Sequence, residues 1–272
     1  MKTGYRTSPY SKLDILTGLH KIAEAGYDGV ELCLENPDCR VEKLNASAIA
    51  RIKDGLARNR LGLASLSWHC NYIADDKGFQ GLKKAIRIAR RFECGILILS
   101  TGPITDRRAQ WKVLISRTRE LLKIAEGNAV TLAMEPEPKF VCETTDDGIR
   151  LADETGSPRM AVNLDIGHAH ITDSSVARSI LKLGKLLVHT HFEDIKGKVH
   201  KHLPPGEGDI DFSAVSRALL KAKYDGYLVA DLFASDPAVV AKPARLWLQN
   251  LCILQMLEEV QTDLQRVLDR LK

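Results

Sequence analysis

Four of the eight histidines in this 272-residue chain stand between positions 189 and 202, in HTHFEDIKGKVHKH. Imidazole packed this densely, beside Glu193 and Asp194, suits ligation of a divalent ion, proton transfer, or hydrogen bonding to a substrate's hydroxyls or phosphate. Similar residues end other apolar runs: Trp68–His69, Glu135 and Glu137, Asp165-Ile166-Gly167-His168, and Asp231. Singly, each has an ordinary explanation, since a strand-end acid often caps the next helix and a lone histidine is often a bonded core residue. Together they are costly to bury around one rim unless a cation compensates them. Carboxylate oxygens and neutral imidazoles are ligands of Zn²⁺ and Mn²⁺, with Mg²⁺ and Co²⁺ as alternatives.

Such a rim needs elements to hold it. The apolar runs 3–8, 29–34, 61–69, 95–101, 129–138, 161–168, 185–194 and 227–233 have the length and continuity of strands buried on both faces. Between them, helical patterns cover 11–25, 43–60, 78–92, 106–126, 145–154, 174–183, 212–222 and 237–271. Ser11 and Asp211 stand where helix N-caps belong, and Gly26 where a left-handed cap belongs. Eight strands alternating with eight helices predict an α/β fold, a single (β/α)₈ TIM barrel over residues 1–272 with a long C-terminal helix. Chemistry in that fold gathers at the C-terminal strand ends. Every histidine except His20 falls at such an end or in the loop after it.

Spacing then ranks the candidates. Residues two apart on a strand share a face, so His189 and His191 point the same way. His191, nearer the end, is the better ligand, and His189 packs one layer below. Asn163 and Asp165 pair likewise, with Asp165 on top.

Composition excludes several classes. A formal charge of +4, from 39 basic and 35 acidic side chains, does not demand a nucleic-acid partner. No segment approaches the ~20 apolar residues of a membrane span, and no signal-like stretch opens the chain. Six cysteines at 33, 39, 70, 94, 142 and 252 form no CxxC pair. The expectation is a cytoplasmic protein with free thiols, Cys70 being a small buried hydrophobe rather than a reactive one. The apolar positions of 251–271 suggest a helix able to pack on a second subunit.

The segments VNLDIGHAH, HTHFEDIKGK and HLPPGEGDIDF resemble the xylose isomerase-like TIM barrels, which include sugar isomerases, sugar epimerases and the endonuclease IV group. The resemblance spans essentially the whole chain. It implies one divalent metal held by Glu135, Asp165, His191 and Asp231, the last one methylene shorter than the family's glutamate. From the endonuclease-like members it implies a second site at His168, His200 and His202, with His200 where an aspartate is usual. His69 matches a further ligand position, but its usual partner histidine is replaced near Ser100, so a full three-metal site is not implied.

The function implied is a metal-dependent isomerase or epimerase of a sugar, keto-sugar or polyol, working through an enediolate. Glu135, Asp231 and His168 would move protons; His69, Trp68, Lys196 and Glu207 would meet substrate, Trp68 by stacking. Lys198 is a further candidate for an anionic group, Glu137 reads as a loop acid, and Glu31 as a member of the polar layer. Two enzymatic alternatives use the same residues: a lyase or dehydratase expelling a β-leaving group, and a two-metal phosphodiesterase. A non-enzymatic metal-holding barrel is the third.

Overall fold

The computed structural model of the chain describes residues 1–234 and 237–252. Eight parallel strands follow one another in chain order: β1 Lys2–Arg6, β2 Gly29–Cys33, β3 Gly62–Trp68, β4 Ile96–Leu99, β5 Thr131–Met134, β6 Met160–Asp165, β7 Leu187–Phe192 and β8 Tyr227–Ala230. β8 pairs back onto β1, which closes the barrel. Around it lie α1 Ile15–Glu24, α2 Ala46–Arg58, α3 Asp76–Arg91, α4 Arg107–Asn128, α5 Thr145–Thr155, α6 Ile166–Thr172, α7 Val176–Leu183 and α8 Phe212–Lys221. Residues 237–252 form α9; the remainder of the expected C-terminal helix, and with it most of the expected subunit contact, lies outside the described residues.

The helices bury one apolar stripe each against the strands, as in α3, where Phe79, Leu82, Ala85, Ile86 and Ala89 are buried and the opposite face is charged. Polar starts define where they begin. Asp211 caps α8 as expected, and Gly26 has a φ of 89° after α1. α1 starts later than its sequence suggests. Residues Ser8–Tyr10 form a separate 3₁₀ turn, and Asp14, not Ser11, accepts from the first-turn N–H groups.

One departure shapes the site. The sixth strand was expected to run through His168, but it stops at Asp165, whose carboxylate accepts the His168 N–H at 2.7 Å and starts α6. A second helix, α7, capped by Ser175, then precedes β7. His168 therefore rides the first turn of a helix that Asp165 itself anchors. The β6–β7 register also shifts between Val162 and Asn163, and the β2–β3 register between Val30 and Glu31. Irregularities of this kind re-aim side chains next to active sites.

Candidate active site and metal centre

A cavity of about 800 Å³ opens at the C-terminal ends of the strands, with His69, Glu135, His168, His200, His202 and Asp231 in its lining. Beneath it, hydrogen bonds cross the barrel. Glu31 Oε2 lies 2.8 Å from His191 Nε2 and 3.2 Å from His189 Nε2, and it accepts from Ser65 Oγ at 3.0 Å. Asn163 donates to Glu135 Oε2 at 2.8 Å. Glu31, outside the candidate set drawn from the sequence, is thus the carboxylate that orients His191.

With Nε2 turned to Glu31, the other ring nitrogen of His191 faces the acids. His191 Nδ1 lies 3.3 Å from Glu135 Oε2, 3.8 Å from Asp165 Oδ2 and 3.9 Å from Asp231 Oδ2. All four residues are buried, as the sequence reading required. Glu135, Asp165 and His191 each place one ligand atom within 4.8 Å of the others'. Asp231 stands at the edge of that trio, because the guanidinium of Arg6 holds its Oδ2 at 2.7 Å. Asp231 Oδ1 is buried and accepts no hydrogen bond, and the Asp165 carboxylate has the Glu193 carboxyl beside it as a hydrogen-bonding neighbour.

Electrostatics say what this cluster lacks. Burial disfavours the charged His191 ring, yet the Glu31 and Glu135 carboxylates outweigh it and hold its pKa well above the usual range. Burial likewise opposes ionisation of Glu135, and the His191 and His69 rings overcome it, pulling its pKa well down. Burial and the adjacent Asp165 charge push Glu193 well above the carboxylate range. The acids therefore draw positive charge onto imidazole. A divalent cation would supply that charge and take the Nδ1 lone pair and the carboxylate oxygens that face it as ligands. The residues fit such an ion.

A second convergence lies at the rim. His168 Nε2 is 3.0 Å from His200 Nε2, which is 3.2 Å from His202 Nε2. The outer nitrogens are committed: His168 Nδ1 donates to the Pro136 carbonyl at 3.1 Å and His202 Nδ1 to the Asp231 carbonyl at 2.8 Å. With Nδ1 donating, His168 and His202 can each turn an Nε2 lone pair toward His200 Nε2, where the His200 N–H or a metal ion would satisfy them. The three expected residues of the second site are thus brought together.

His69 is also in place, 3.0 Å from Glu135 Oε2 and 3.1 Å from Glu35 Oε1. Four other expected residues stand outside the cavity lining. Trp68 faces outward: a Cβ at Gly81 of α3 would lie 2.1 Å from its ring. Neighbouring strand residues point to opposite sides, so Trp68 packs under the helix and cannot stack on a substrate in the cavity. Lys196 and Glu207 are exposed and outside the cavity lining. Lys198 instead donates to the His170 carbonyl. Cys70 lines the cavity, but burial pushes its thiol up to about 12, so no thiolate is present at neutral pH. Glu137 also lines it, unexpectedly; burial and the charge of Glu135 raise its carboxyl to about 7.

The loop that carries His200 and His202 hangs on Asp194. Its buried carboxylate accepts backbone N–H groups from Ile195 at 2.9 Å, Gly206 at 2.9 Å, Gly208 at 2.8 Å and Ile210 at 3.3 Å. Gly208 is required by contact, since a Cβ there would sit 2.3 Å from Asp194 Oδ1. The glycines of GEG, not the glutamate between them, build the site. Asp194→Ala would orphan these donors and is expected to cost roughly 2–4 kcal/mol. Urea unfolding checks the stability, and trypsin should cut faster at Lys196, Lys198 and Lys201. Unchanged stability and unchanged cleavage would contradict this role.

Fructoselysine 3-epimerase of Shigella flexneri is 27% identical over 264 residues, covering 90% of this chain and 95% of that protein. The 3-dehydro-D-guloside 4-epimerase of Escherichia coli K12 is 23% identical over 275 residues, covering 92% and 100%. Among solved structures, D-allulose 3-epimerase from a Methylomonas species superposes with a TM-score of 0.76 at 20% identity, covering 92% of this chain and 98% of that one. These homologues are sugar epimerases. Residues 19–251 match the family model of the xylose isomerase-like TIM barrel, and the chain belongs to that family.

Proposed function

We propose that this protein is a divalent-metal-dependent epimerase or isomerase of a sugar or keto-sugar. The observation that carries this reading is the set of three buried carboxylate oxygens, from Glu135, Asp165 and Asp231, turned toward His191 Nδ1 at the cavity floor. Glu135, Asp165, His191 and Asp231 would hold the ion. When bound, it supplies Lewis acidity that polarises a substrate carbonyl and an adjacent hydroxyl and acidifies the C–H between them.

The chain's own groups do the rest. Glu135, ionised and buried at the floor, takes the proton from that carbon. His69 and Asn163 donate to Glu135 Oε2, which fixes the base in orientation. A carboxylate or rim imidazole on the other face of the substrate, from Asp231 or His168, returns a proton to the carbon and inverts it. Enclosure below the rim keeps bulk water away from the intermediate. Incubation with fructoselysine, D-psicose and L-ribulose 5-phosphate, followed by NMR of the products, tests the reading; epimerised product supports it.

The imidazole trio favours a second reading, a hydrolytic centre with two metals. Replacing His200 and His202 together should remove about one equivalent of metal and spare the other, as read by elemental analysis. Unchanged stoichiometry with weakened sugar binding would instead make this loop a substrate contact.

A further inference from the structure

Arg6 entered none of the expectations drawn from the sequence, yet its side chain rises from the end of β1 into the cavity floor, 6% exposed. Two edges of the guanidinium are occupied. Nε lies 2.9 Å from Glu31 Oε1 in an ion pair without hydrogen-bond alignment, and Nη1 donates to Asp231 Oδ2 at 2.7 Å. The third edge differs. Nη2 stands 3.2 Å from His69 Nδ1, but that nitrogen also faces Glu35 Oε1 at 3.1 Å, and the same oxygen accepts the His69 backbone N–H at 2.6 Å. A carboxylate only accepts, so Nδ1 carries the hydrogen and gives it to Glu35. Nη2 therefore meets another donor, and it makes no hydrogen bond to an oxygen among the described residues.

A guanidinium ion-paired at Nε, hydrogen-bonded at Nη1 and facing no acceptor oxygen at Nη2 is a preorganised donor in a water-poor site. It stands between His69 and Asp231, with Glu135 on the far side of the His69 ring. We propose that Arg6 is a catalytic residue, its Nη2 donating to the substrate oxygen on which negative charge collects. This rests on the enolisation proposed above. Glu135 takes the proton, the C–H bond pair becomes the C=C bond, and the carbonyl π pair moves onto oxygen, where the Arg6 N–H meets it. Returning the proton reverses each movement, and Arg6 neither gains nor loses one. The same guanidinium pins Asp231, so the carboxylate that is one methylene short is reinforced by a donor reaching in from β1.

Arg6→Lys keeps a cation between Glu31 and Asp231, so the fold is preserved, but its three N–H groups share one nitrogen and cannot reach both acids and the position of Nη2 together. Metal content and melting temperature should match wild type. Affinity for L-threonohydroxamate, a four-carbon mimic of an enediolate, should fall about tenfold to a hundredfold by calorimetry. On fructoselysine, kcat should fall about 10²–10³-fold with KM changed far less. Equal hydroxamate affinity or equal kcat in the metal-loaded variant and wild type would overturn the assignment of Arg6 alone. A wild type that neither binds hydroxamate nor turns over any sugar in the panel would overturn the enolisation reading and Arg6's role with it.

Discussion

Asp165→Ala and His191→Ala are each expected to yield protein that folds but purifies without its floor metal, with kcat/KM lower by roughly 10³–10⁴, the scale of a lost Lewis acid. The folding half follows from the local chemistry. Asp165→Ala removes one of several crowded acids, and the loss it inflicts on structure is the cap on the His168 N–H, about 1 kcal/mol. His191→Ala removes the ring on which Glu31 and Glu135 converge, leaving both acids without that counter-charge, so it should be the less stable of the two. Metal uptake by wild type should also weaken toward acid. A metal must displace the Nδ1 proton of His191, whose pKa Glu31 and Glu135 raise against the effect of burial. Below that raised pKa, apparent affinity should drop about tenfold per pH unit, since one proton competes with one ion. Equal metal content in wild type and both variants would refute the ligand assignment.

Glu135→Gln should have a comparable effect on rate for a different reason. The amide keeps the shape of the side chain but cannot take a proton, which alone removes about 10²–10⁴ in kcat. It also turns an acceptor partly into a donor where His69 Nε2 and Asn163 Nδ2 both donate, so the new NH₂ must point away from them. Stability should change little if the amide oxygen keeps both bonds. Thermal melts of the variant beside wild type would separate a lost base from a lost fold.

Much of this was legible in the sequence because it rests on periodicity. The eight apolar runs gave the barrel, and two-residue spacing put His189 with His191 and Asn163 with Asp165 on inward faces, where β6 and β7 pair Asn163 with His189 and Asp165 with His191. What was missed depends on depth and loop path. Arg6 lies in a short apolar run that looks like plain strand, and Glu31 was placed in the polar layer without its role beside His191; neither type is normally buried without a partner that only the closed barrel supplies. The parity that favoured His191 should have warned against Trp68, since it and His69 are adjacent and cannot share a face. Lys196 and Glu207 were chosen for charge within a motif whose geometry is set by Asp194 and the flanking glycines. His168 reached the site through a helix cap rather than a strand end, a distinction that IGHAH does not announce.

The central claim, proton removal at a carbon beside a carbonyl, is tested most directly by solvent isotope exchange. Metal-loaded protein incubated in D₂O with fructoselysine, D-psicose and L-ribulose 5-phosphate should place one deuterium on the carbon skeleton of at least one of them, seen by NMR and mass spectrometry. The label should vanish on chelation and in Glu135→Gln. An abasic-site DNA duplex in the same buffer should remain intact. Cleaved duplex with no deuterium in any sugar would contradict the account and make the imidazole trio a hydrolytic centre.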